Sequence, residues 1–133
     1  MADRPRLTVF DETAGVALAT RAKEATSFWG KFRGLMLRGS LEASEGLVIR
    51  PCNSIHMMFM RFPIDAVFFD TSGKVTRVAR GLPRWRGLAM GGRGAKGVVE
   101  LPAGAAEATQ PGHQLRIEPA EETSTPSVET GTA

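Results

Sequence analysis

The chain has 133 residues, 42% of them apolar, with a single cysteine. That length suits one domain whose folding hides roughly two-thirds of its unfolded surface, and it excludes a disulfide-stapled scaffold or a multi-cysteine zinc site. The net charge of +3 is uneven: residues 1–70 carry nine basic and eight acidic side chains, 71–118 carry eight and three, and 119–133 carry none and three.

Taken in chain order, the first elements are short strands at Leu7 to Phe10 and Val16 to Thr20, joined by the turn-like Asp11 to Gly15, which together predict a hairpin. A helix is expected from Thr26 to Arg38. Thr26 or Ser27 caps it, Phe28, Phe32, Leu35 and Met36 recur at helical spacing, and Gly39 stops it. Gly30 and Gly34 weaken it by about 1 kcal/mol each relative to alanine. After Gly46 the pattern changes to strands at Leu47 to Ile49, Ser54 to Met60, Ile64 to Phe69, Val75 to Val78, Gly97 to Leu101 and Gln114 to Ile117, with Asp70 to Gly73 as a hairpin turn. Pro102 followed by Ala103 to Gln110 predicts a second, short helix, stopped by Pro111 and Gly112. Gly81 to Gly97 reads as a long glycine-rich irregular segment. The fold class expected is therefore a β-rich α+β domain over residues 5–118, a compact antiparallel barrel or jelly-roll-like sandwich with one main helix. The acidic tail 119–133, rich in Ser, Thr, Pro and Glu, is expected to be disordered. No apolar stretch is long enough for a secretory signal or a membrane span, so a soluble cytoplasmic protein is expected.

The block Cys52-Asn-Ser-Ile-His-Met-Met-Phe-Met-Arg-Phe-Pro-Ile-Asp-Ala-Val-Phe-Phe-Asp70, with Arg33 to Met36 before it and Val99 to Gly104 after it, resembles the domain of unknown function 192 family. The likeness runs from about Leu7 to Pro119. It implies a compact β-rich domain similar to a barrel or jelly roll, and it brings no activity, cofactor or catalytic residue with it.

Several residue sets could carry chemistry. On a strand, Cys52, Ser54, His56, Met58 and Met60 would share one face, a soft-ligand row suited to Cu(I). Strand rise separates Cys52 from His56 by about 13 Å, too far for one metal, so core filling by the sulfur residues is the plainer account. Ser54, His56 and Asp65 supply the types of a hydrolytic triad without its nucleophile elbow. Asp65 lies within an apolar strand and needs a partner if buried, with Arg33, Arg61 and His56 as candidates and a clamp on strand ends as the structural alternative. Gly92 to Gly97 fits Gly-x-Gly-x-x-Gly, but a strand follows instead of a helix, so no dinucleotide site is expected; a basic glycine loop could still hold a phosphate through its amides. Glu100 is either a pocket carboxylate or a partner for the short helix.

The leading expectation is a non-enzymatic ligand-binding or interaction module with a pocket drawn from Arg33, Asn53, Ser54, His56, Arg61, Asp65 and Glu100. Its partner would be an unidentified small molecule or anionic ligand, with no cofactor and no metal. A second reading is single-stranded nucleic-acid or other polyanion binding through Arg80, Arg84, Trp85, Arg86, Arg93 and Lys96, where guanidinium groups meet phosphates and Trp85 stacks on a base. The third is a hydrolase or metal-assisted enzyme using His56 and Asp65.

Overall fold

The computed structural model describes residues 6–25, 42–51, 54–56, 62–83 and 88–120. Their strands, in chain order, are β1 (Leu7–Asp11), β2 (Val16–Ala25), β3 (Glu45–Ile49), β4 (Ser54–His56), β5 (Ile64–Phe69), β6 (Val75–Leu82), β7 (Leu88–Met90), β8 (Gly97–Pro102) and β9 (Leu115–Pro119). Seven form one sheet in the order β6-β5-β8-β3-β2-β1-β9, and β4 pairs with β7 in a separate two-stranded ribbon. Every neighbouring pair is antiparallel except β2 and β3.

The central strands β3 and β5 are buried along their whole length, and β8 along all but its last residue. Continuous apolar runs are what a strand covered on both faces requires. Alternation sorts these side chains. Leu47, Ile49, Ile64, Ala66, Phe68 and Val98 point to one face, where they pack with Phe62, Leu82, Ala89 and Ala95. Val48, Val67, Phe69, Val99 and Leu101 point to the other, with Leu7, Val9, Leu18, Val75 and Leu115. The sheet curls so far that its edge strands meet at one corner: Lys74 bridges Gln114, the Val75 amide donates to the His113 carbonyl, and the Gly112 amide donates to the Val75 carbonyl. The result is a half-barrel rather than two stacked sheets.

The expected β-rich α+β class with a main helix is corrected here. Among the described residues there is no helix, and the strands form a half-barrel instead of a jelly-roll sandwich. The main helix expected at 26–38 falls outside the described residues and gains no support. The short helix expected at 103–110 is replaced by a run of turns, with Ala105 N–H donating to the Pro102 carbonyl, Glu107 to Gly104 and Thr109 to Ala106. Gly104, at φ +97°, leaves helical backbone there. Its amide and that of Ala106 donate to Asp65, while the Ala106 and Thr109 carbonyls accept from Arg80. Side chains distant in sequence thus hold this backbone in its turns. The tail from 121 onward lies outside the described residues, as do Arg33, Asn53, Arg61, Arg84, Trp85 and Arg86.

Candidate binding cleft

Asp65 and Glu100 do not share a pocket. Asp65 sits opposite Leu101 and Glu100 opposite Ala66 in the β5–β8 register, so the two carboxylates project from opposite faces of the sheet. Glu100 is fully buried. Ser54 and His56 are present as backbone in β4, paired with Met90 and Leu88; their side chains are outside the described residues. The described part of the expected ligand set therefore does not converge on one hollow.

Asp65, 1% exposed, is fully engaged as an acceptor. Its Oδ1 takes the Gly81 amide at 2.8 Å, and its Oδ2 takes those of Gly104 and Ala106, each at 3.0 Å. The carboxylate thereby ties β5 to β6 and to the turns after β8, the geometry of a clamp. Arg80, one of the polyanion candidates, works beside it: its Nε donates to the Ala106 carbonyl at 3.3 Å and its Nη2 to that of Thr109. A second internal carboxylate was not singled out by sequence reasoning. Asp11, at the end of β1, is fully buried and accepts from Ala14 N–H at 3.0 Å, the Thr109 hydroxyl at 2.8 Å and His113 Nδ1 at 2.9 Å. An ionised carboxylate only accepts, which assigns the imidazole proton to Nδ1. Burial pushes the Asp11 carboxyl up, but the hydrogen bonds from His113, Ala14 and Thr109, together with attraction to the imidazole, outweigh it and hold the group below its ordinary value. Nothing local in the sequence announces this cluster, whose members lie about a hundred residues apart.

The open space lies elsewhere, at the Phe69 end of β5. A cleft of about 590 Å³ is lined by Arg50 and Pro51 after β3, Phe69, the hairpin residues 70–73, Lys96, and Leu115 and Ile117 of β9. Its floor is apolar. Phe69 and Leu115 are each 4% exposed, and the Phe69 ring and the Arg50 stem close over Gly97, leaving no room there for a β-carbon. One wall is rigid because Asp70 Oδ1 accepts from Ser72 N–H at 2.9 Å, the Ser72 hydroxyl at 2.7 Å and Lys74 N–H at 3.0 Å. These bonds, led by the Ser72 hydroxyl, hold the Asp70 carboxyl below its ordinary value. The hairpin is pinned again where Gln114 Nε2 donates to the Ser72 carbonyl at 2.8 Å. The two cations of the cleft differ. Arg50 is committed to Glu24, with Nε and Nη2 at 2.9 and 2.8 Å from one carboxylate oxygen. Lys96 is exposed and makes no ion pair among the described residues, while its amide is fixed to the Phe69 carbonyl at 2.8 Å.

Among the described residues that the sequence put forward, only Lys96 lines this cleft. The glycine loop before it is a turn, with Gly92 and Gly94 at φ +86° and +83° and β8 following. Among the described residues no group of three His, Cys, Asp or Glu side chains is placed to hold a metal ion, and no helix is long and apolar enough to cross a membrane.

The chain is 36% identical over 100 residues to a UPF0127 protein of Thermococcus sibiricus and 33% identical over 100 residues to one of Thermococcus kodakarensis. Each match covers 72% of this chain, but only 64% and 62% of the relatives, which are longer. A solved structure of a protein of unknown function from Novosphingobium aromaticivorans superposes with a TM-score of 0.72 at 22% identity, covering 84% of this chain and 83% of that one, which establishes a shared fold. The model of the uncharacterized family DUF192 matches residues 9–117, and the chain belongs to that family.

Proposed function

We propose that the protein is a small-ligand-binding module whose cleft takes an amphiphilic anion, with the apolar body over Phe69, Leu115 and Ile117 and the anionic group at Lys96. The single observation that carries this reading is the coincidence, at one cleft, of an apolar floor and an exposed lysine with no ion pair among the described residues. The volume is within the range of small-molecule sites, where a mostly apolar lining supplies affinity and a few polar groups fix orientation. The hydrogen-bonded hairpin supports the same reading, because a wall already ordered adds little ordering cost on binding.

Calorimetric titration of the full chain with octanoate, phenylacetate and the uncharged 1-octanol tests it. Both acids should bind, and Lys96→Met should weaken them by about fivefold to tenfold, the worth of one charge-assisted contact, while leaving 1-octanol unchanged. Absence of binding by either acid, or equal affinity of the variant, overturns the proposal.

A further inference from the structure

On the opposite face of the sheet from the cleft, β6 is irregular. The β5–β6 ladder pairs Phe68 with Arg77 but Phe69 with Val75, so Thr76 is an extra residue and the strand bulges there. Bulges re-aim side chains, and they recur beside functional sites. Here the bulge turns two consecutive side chains toward the glycine loop. The Thr76 hydroxyl donates to the Gly91 carbonyl at 2.8 Å. The Arg77 guanidinium lies against Gly92, with Nε 3.8 Å and Nη2 4.0 Å from where a β-carbon on that glycine would sit.

The loop is held at both ends. Gly91 rests on the Phe68 ring and on Ala95, so closely that a β-carbon would come within 2.6 Å of the ring. Ala95 N–H donates to the Gly92 carbonyl at 3.2 Å, and Ala95 itself is buried. Between those anchors, the amides of residues 92, 93 and 94 donate to no acceptor among the described residues. Positive φ at Gly92 and Gly94 disfavours any side chain there, and the space beside Gly94 is open. Arg77 and Arg93 are both exposed, and neither makes an ion pair among the described residues.

We infer that Arg77, Arg93 and the 92–94 turn form a binding site for a phosphoryl group, separate from the cleft around Lys96. The guanidinium is a planar fork that matches two phosphoryl oxygens, and successive amides in a glycine turn, with no acceptor among the described residues, add donors to the same anion. The site turns on Arg77, one of seven basic residues between Lys74 and Lys96, a run with no acidic residue. It needs nothing from the cleft, so the two proposals can fail independently.

Amide chemical shifts of the full chain, recorded during titration with inorganic phosphate and separately with a short oligothymidylate, test the site. Each titration is run against sodium chloride at matched ionic strength. Phosphate should move the amides of 92–94 saturably, Arg77→Gln should weaken it by about tenfold, and Arg77→Lys should restore only part because the fork is gone. Movement of the same amides by phosphate identifies a small phosphorylated molecule as sufficient; movement by oligothymidylate at much lower concentration identifies a nucleic-acid backbone as the source. Either result supports the phosphoryl site. It is overturned if those amides stay still in both titrations, if chloride reproduces the shifts, or if Arg77→Gln responds as the wild type does while keeping its dispersed spectrum. Should that variant lose its dispersed spectrum, Arg93→Ala gives the reading, with a weakened response expected and an unchanged one overturning the site.

Discussion

The two ends of β5 use charge in opposite ways. At the Asp65 end, both carboxylate oxygens and the neighbouring Arg80 guanidinium are taken up by backbone groups of β6 and the 102–109 turns. At the Phe69 end, about 13 Å away by strand rise, Lys96 and Arg77 reach solvent and find no carboxylate among the described residues. The first end spends its charge on the fold. The second leaves Lys96 and Arg77 available to something outside the chain, which is why the binding proposals stand there.

The largest effect expected from this contrast is at Asp65. Asp65→Ala leaves the amides of Gly81, Gly104 and Ala106 without their acceptor, and a urea titration should show a loss of about 3 kcal/mol or more, since unmaking hydrogen bonds to a buried charged group is costly. A loss below about 1 kcal/mol would erase the distinction between the two ends. Next is Gly91→Ala, whose β-carbon would lie 2.6 Å from Phe68 Cδ1 and 2.5 Å from the Ala95 β-carbon. Overpacking of that kind costs about 1–3 kcal/mol, read in the same titration, and wild-type stability would mean that the loop is not anchored as described.

The acid limb of stability sharpens the picture at Asp11, bonded to Thr109 and His113. Asp11 titrates lower when folded than its ordinary 3.8, so its contribution is complete above that value and disappears as pH falls through the lower folded one. Asp11→Asn should therefore be less stable at neutral pH and should lose stability less steeply under acid; parallel pH profiles for the two proteins would contradict the hydrogen-bonded carboxylate. The smallest effect is Lys96→Met, whose melting temperature without ligand should stay near wild type, because an exposed side chain with no partner contributes within about 0.5 kcal/mol.

Much of the sheet was legible in the sequence. The apolar run Ile64 to Phe69 and the turn Asp70 to Gly73 appear as read, because a doubly covered strand and a tight hairpin are both written locally. The run 103–110 was misread as a helix because the residues that divert its backbone, Asp65 and Arg80, lie some 26 to 41 positions away. β7 was hidden inside a glycine-rich stretch, as among the described residues it is three residues long and its partner strand is remote. The candidate pocket suffered from the same blindness to register: Asp65 and Glu100 each looked like a carboxylate in an apolar strand, and only the pairing of β5 with β8 assigns them to opposite faces. Arg77 was one cation among seven until the bulge at Thr76 distinguished it.

The most direct test of the contrast is the unfolding free energy of Arg80→Ala measured against that of Arg77→Ala. Arg80, bonded to two carbonyls, should cost about 1–2 kcal/mol, whereas Arg77 should change stability by less than about 0.5 kcal/mol. Equal costs, or a larger one at Arg77, would contradict the assignment of charge at one end to the fold and at the other to a ligand.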